Sequence, residues 1–194
     1  MNTVATTLTG NFPIGLRLTG TLIDRPVAET AEWAMAQGFG CVDLAAQQLV
    51  ALGSWEGAGL PVGTIDLFGS EWGGMLSANA DTRQSTVAAA KQMIRDSAAA
   101  GVKIIFIVML AEDETLPRKE TFGYMVETYG QLREVLAETG IRLAIEGWPG
   151  CNALCCNPES YRAILQQMNS PYIGINYDPS HVIRMGIDPL RYIK

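Results

Sequence analysis

A chain of 194 residues with 48% hydrophobic content is long enough for one domain with a sizeable core and short for two. Its formal net charge of -6 offers no field for a phosphate backbone, which argues against nucleic acid as a partner. No run approaches the roughly 18 apolar residues of a membrane span, and the Thr-rich residues 1–10 lack the basic start and apolar stretch of a secretory signal, so the expectation is a cytoplasmic protein with no membrane partner.

Short β-branched runs bounded by Gly or Pro alternate with longer stretches of helical spacing, which is the pattern of repeated βα units. Residues 14–18 read as a first strand. A helix over about 27–37 follows, with Ala31, Ala34 and Met35 at helical spacing and Gly38 as its stop. Residues 41–45 form the second strand, a short helix is expected near 47–52, and 62–67 is the third strand. A long loop over 69–81 then leads to an Ala-rich helix over about 83–100, with Asp81 or Thr82 as its cap.

Residues 102–110 are almost continuously apolar, as in a strand buried on both faces of a parallel sheet. The remaining elements are a helix near 122–139, a strand at 142–145, a helix near 158–168, a strand at 172–177 and a helix opened by Asp188 and Pro189. A doubly wound open sheet accommodates six such units as well as a barrel does. The sequence has no GxGxxG or GxxxxGK[ST] after any strand, and Asp43, Asp66, Glu146 and Asp178 fall at strand C-terminal ends, where barrel active sites lie. The expected fold class is therefore α/β, a (β/α)8 TIM barrel.

Four cysteines stand at Cys41, Cys151, Cys155 and Cys156. An adjacent pair suits reduced thiols better than a disulfide framework, and without a CxxC pair a zinc site made of them is not expected. For Asp43 and Asp66 the expectation is hydrogen-bonded roles at the barrel mouth. Glu71 and Trp72, in the loop after the third strand, are weaker candidates for a lid.

Two segments carry chemistry. In Leu143-Ala144-Ile145-Glu146-Gly147-Trp148-Pro149-Gly150 an apolar strand delivers a lone carboxylate to its end and turns abruptly. In Gly174-Ile175-Asn176-Tyr177-Asp178-Pro179-Ser180-His181 a strand ends at Asp178, and the only histidine of the chain comes three residues later. Read singly, Glu146 could pair with a base, Asp178 could form an Asp-Pro turn and His181 could cap a helix. Taken together on neighbouring strands, Glu146 and Asp178 converge on one opening, and two such carboxylates call for a cation or a shared proton. Oxygen and nitrogen ligands of this kind suit a divalent metal ion: Mn²⁺, Mg²⁺, Co²⁺ or Zn²⁺.

With Gly186-Ile187-Asp188-Pro189 added, these motifs resemble the sugar phosphate isomerase/epimerase family of the xylose-isomerase-like TIM-barrel superfamily. The resemblance implies that Glu146 is both metal ligand and acid/base, that Asp178 is a metal ligand, and that His181 lies beside the metal and binds substrate or, in some branches, the metal. Trp148 would wall the substrate pocket. The implied activity is isomerisation or epimerisation of a small sugar or sugar-derived hydroxycarbonyl through a metal-stabilised enediolate.

The family takes further ligands from a histidine on strand seven and a glutamate on strand eight. The expectation for residues 1–194 is one barrel domain, incomplete at its C-terminal side after about six βα units and lacking half of the metal shell and the second acid/base that the resemblance implies. Its open edges favour association with a second copy, a homo-oligomer. An inosose-type dehydratase would use the same residues. The reading from another class is a non-catalytic incomplete barrel that binds a metabolite or serves assembly.

Overall fold

Six strands lie side by side in one sheet in the order of the sequence, every neighbouring pair parallel: β1 (Gly15–Arg17), β2 (Cys41–Ala45), β3 (Val62–Leu67), β4 (Ile104–Val108), β5 (Arg142–Glu146) and β6 (Ile173–Asn176). The structure is a computed structural model and describes residues 4–8, 10–67, 72–150 and 152–192. A strictly sequential parallel order is that of a barrel wall. A doubly wound sheet reverses its order at a switch point, and among the described residues no reversal is present.

The helices between the strands are α1 (Val27–Ala36), α2 (Leu52–Gly57), α3 (Ala80–Ala99), α4 (Arg118–Gly130), α5 (Arg133–Thr139), α6 (Pro158–Met168), α7 (Pro179–Arg184) and α8 (Pro189–Tyr192). Among the described residues, no helix is long and apolar enough to cross a membrane. The two faces of each strand differ because side chains alternate. Val42, Leu44, Ile65, Leu67, Ile105, Ile107, Leu143 and Ile145 are buried against the helices, where they meet Ala31, Ala34, Val87, Ala90, Ile94, Met125 and Ile164. Each large aliphatic side chain buried there contributes roughly 1.5–3 kcal/mol relative to its exposed state.

The opposite face lines the inside of the curved sheet and is polar or half-covered. β4, expected to be buried on both faces, instead leaves Ile104 37% exposed on this side. Its partners across the sheet, Thr64 and Arg142, cannot cover it.

Several boundaries depart from the sequence expectations for local reasons. The N-cap of α3 is Asn79, not Asp81 or Thr82: its Oδ1 accepts from the N–H groups of Asp81 at 2.9 Å and Thr82 at 3.1 Å, so the helix starts earlier. The single helix expected near 122–139 is two, and at the break between them Arg133 Nε donates to the Gly130 carbonyl at 3.1 Å. The helix expected near 47–52 is a 3-10 turn, Ala46–Ala51, leading into α2. The end of the loop after β3 is packed: Trp72, Met75 and Leu76 are buried, and the Trp72 and Tyr129 rings lie 6.1 Å apart. Trp72 is thus a core residue and not a lid, while Glu71 lies outside the described residues.

Candidate functional site

The last residue of β5 is Glu146, which carries its carboxylate onto the inner face. The turn after it is shaped by close approach: a Cβ on Gly147 would fall 2.5 Å from Tyr161 Oη, so only glycine lets the chain pass over that ring. Tyr161 in turn donates to the Ile145 carbonyl at 3.3 Å. Further along, the loop is tied to the one after β4. Leu154 N–H donates to the Met109 carbonyl at 3.0 Å, Ala111 N–H to that of Asn152 at 3.1 Å, and Arg118 Nη1 to that of Ala153 at 2.6 Å. The mouth of the sheet beside Glu146 is therefore braced by backbone and guanidinium hydrogen bonds.

Asp178 follows β6 and caps α7, accepting from Ser180 N–H at 2.7 Å, with Pro179 at the first helical position. Three residues on, His181 projects from the same turn as Asp178. Its Nε2 stands 3.7 Å from Glu146 Oε1 and 3.7 Å from Asp178 Oδ2. Ligand atoms of the three residues all lie within 4.8 Å of one another. Glu146 Oε1 also accepts from Asn176 Nδ2 at 3.3 Å.

Each carboxylate is tuned by its surroundings. Burial raises Glu146 above the ordinary range, the His181 imidazole works against that, and the Asp178 charge adds to the rise. Hydrogen bonds from Ser180 hold Asp178 below the usual range. The two neighbouring carboxyls are thus shifted in opposite directions. Among the described residues, His181 Nδ1 is buried with no hydrogen-bond partner, and Nε2 is the nitrogen turned to the carboxylates.

The donor set fits a divalent cation. Two carboxylate oxygens and an imidazole nitrogen come from two adjacent strand ends. Separations of 3.7 Å are those of ligand atoms around one ion with bonds of about 2.0–2.2 Å. The residues that would hold the ion are Glu146, Asp178 and His181.

The inner face extends from this cluster into a cavity of about 410 Å³, with Arg17, Asp43, Thr64 and Asp66 on its far wall and Phe106 and Ala144 between. Asp43 interacts with Thr64 through hydrogen bonds, and burial raises its carboxyl above the usual range. Asp66 pairs with Arg17. Trp148 is half-buried in the loop after β5 with its ring against Gly150, where a Cβ would fall 2.0 Å from the ring. Cys155 is buried and its thiol pushed up to about 12, Cys156 is half-buried, and Cys151 lies outside the described residues.

Arg17, Asn176 and Thr64 were not singled out from sequence. Each sits on a strand with its side chain on the inner face, and only the alternation of a correctly placed strand reveals that face.

Residues 33–192 match the family model described as xylose isomerase-like TIM barrel. No curated protein matches the sequence. Among solved structures, the chain resembles 3-keto-D-glucoside 4-epimerase from E. coli with a TM-score of 0.76 and 17% identity, over 93% of this chain and 73% of that one. It resembles D-psicose 3-epimerase, solved in the presence of D-fructose, with a TM-score of 0.73 and 15% identity over 88% and 64% of the two chains. A third likeness is to the IolI protein with a bound zinc atom, with a TM-score of 0.70 and 16% identity over 90% and 66%. The chain spans 64% and 66% of the length of the latter two. At these identities the likeness is one of fold.

Proposed function

The chain belongs to the xylose isomerase-like TIM-barrel family, and from that premise we propose that it carries the Glu146 side of a metal-dependent isomerase or epimerase site for a small sugar or sugar-derived hydroxycarbonyl. The observation that carries the proposal is the convergence of Glu146, Asp178 and His181 on one end of the sheet, with His181 Nε2 3.7 Å from an oxygen of each carboxylate and all three ligand atoms within 4.8 Å of one another. Sugar epimerases and a zinc-holding protein of the same fold support it.

A divalent cation held by these residues supplies Lewis-acid polarisation of a carbonyl oxygen. Glu146 is the group that moves the proton. Burial raises its carboxyl above the ordinary glutamate range, which makes it a stronger base than an exposed carboxylate. It would remove the proton from one face of the carbon beside the carbonyl; its return to the neighbouring carbon gives isomerisation, whereas epimerisation needs a second group to deliver a proton to the opposite face of the first carbon. Asn176 holds the carboxylate in place from the next strand. Asp178, kept ionised by Ser180, anchors the ion without competing for the proton. His181 fills the gap between the two carboxylates.

The test is solvent exchange. Incubated with Mn²⁺ and D-fructose in D₂O, the protein should introduce deuterium at carbons next to the carbonyl, and Glu146→Gln should abolish it. Exchange that is equal in the variant, or absent with Mn²⁺ bound, would contradict the proposal.

A further inference from the structure

Inward side chains of a parallel barrel lie in layers contributed by alternate strands. β1, β3 and β5 supply Arg17, Asp66 and Glu146 as the last inward-facing residue of each. Arg17 and Asp66 pair with each other and line the same cavity as Glu146. Glu146 responds to both of their charges, with opposite signs. Asp43, on β2, stands next to them with its carboxylate engaged by Thr64. Across the cavity from the reacting cluster there is thus a guanidinium donor and a carboxylate acceptor side by side.

We infer that Arg17 and Asp66 form the far end of the substrate site and select a neutral polyol chain over one ending in phosphate or carboxylate, an inference that rests on Glu146 and Asp178 marking the reacting end. A hydroxyl both donates and accepts, so neighbouring hydroxyls of a sugar match a side-by-side acceptor and donor. An anionic end group meets a different balance. Among the described residues, Arg17 is the one cation on that wall, its charge is engaged by Asp66, and Asp43 adds a further negative charge. Like charges brought together there oppose binding. Phe106 and Ala144, between the two ends, offer an apolar surface to the C–H groups of the chain.

The experiment uses Mn²⁺ alone first, then D-fructose and D-fructose 6-phosphate as probes, with sugar affinity read from broadening of sugar proton NMR signals by the Mn²⁺-loaded chain. Arg17→Gln and Asp66→Asn should each weaken D-fructose binding about tenfold, the scale of one charge-assisted hydrogen bond. Mn²⁺ binding should be retained in both variants and weakened far less than by Glu146→Gln, because neither residue is among the three that would hold the ion. The phosphate ester should bind the unmodified chain more weakly than D-fructose. The Arg17 side chain is 54% exposed, so its replacement leaves the core in place, and retained Mn²⁺ affinity reports a folded site in either variant.

Mn²⁺ binding with D-fructose affinity unchanged in both variants, with neither sugar bound, or with the phosphate ester bound as tightly would overturn the inference while leaving the metal site standing. Absence of Mn²⁺ binding in the unmodified chain would overturn the metal site itself, and this inference with it.

Discussion

Asn176 Nδ2 donates to Glu146 Oε1 at 3.3 Å across a rung at which β6 and β5 pair these same two residues. The sheet register therefore orients the carboxylate, and the contact does not depend on a flexible loop. Outer-shell partners of this kind typically change metal affinity 10–100-fold when removed. Asn176→Ala should weaken Mn²⁺ binding by about tenfold with little change in thermal stability, measured by calorimetric titration beside a melting curve. Unchanged affinity would show that the carboxylate is held by packing alone.

Metal affinity should fall as pH falls. Asp178 is held low and stays ionised, whereas burial raises Glu146, so protons compete for that ligand first as the medium becomes acidic. An imidazole ligand must also be unprotonated to bind. Titrations at about pH 7.5 and 4.5, the lower value close to the ordinary glutamate pKa of about 4.3 that burial raises in Glu146, should show weaker Mn²⁺ binding at the lower value, with protons released on binding. An affinity independent of pH over that span would contradict the ligand assignment.

Asp43→Asn should stabilise the fold at neutral pH. A carboxyl whose pKa is raised in the folded state favours folding while protonated, and that contribution is lost as pH rises through its ordinary and then its raised value. The ionised group therefore costs stability at pH 7, and the amide of the variant would remove the charge while keeping an acceptor for Thr64. Urea unfolding should show the variant more stable at pH 7, with the difference closing near pH 3, below the ordinary aspartate pKa of about 3.9. A destabilised variant at pH 7 would mean that the charge is used where it stands, beside Arg17.

Gly147→Ala should destabilise the protein by roughly 1–3 kcal/mol, the usual cost of an added methyl in a packed site. The new Cβ would meet Tyr161 Oη at 2.5 Å and disturb the hydrogen bond to Ile145 beneath Glu146. Combining it with Tyr161→Phe, which removes the clashing oxygen, should recover part of that loss in chemical denaturation. No recovery would place the strain elsewhere in the turn.

Element type and order were legible in the sequence because the apolar periods are clean. β2 and β3, with Val42 and Leu44 or Ile65 and Leu67 alternating against polar neighbours, match their expected bounds. Asn79 was missed as a cap because Asp81 and Thr82, both good capping types, follow it, and only the hydrogen-bond geometry distinguishes them. Glu146, Asp178 and His181 stood out because each is an ionisable group beside an apolar strand. Asn176 and Arg17 did not, since their roles come from pairing between strands distant in sequence. Trp72 misled for the reverse reason: an aromatic in a Gly-rich stretch looks exposed until the packing of Tyr129 against it is known.

Mn²⁺ binding to the 194-residue chain, beside Glu146→Gln and Asp178→Asn, tests the central claim most directly. The expected result is one bound ion per chain, lost or weakened at least about tenfold in each variant. Binding that survives both substitutions, or no specific binding to the unmodified chain, would contradict a metal centre at the ends of β5 and β6.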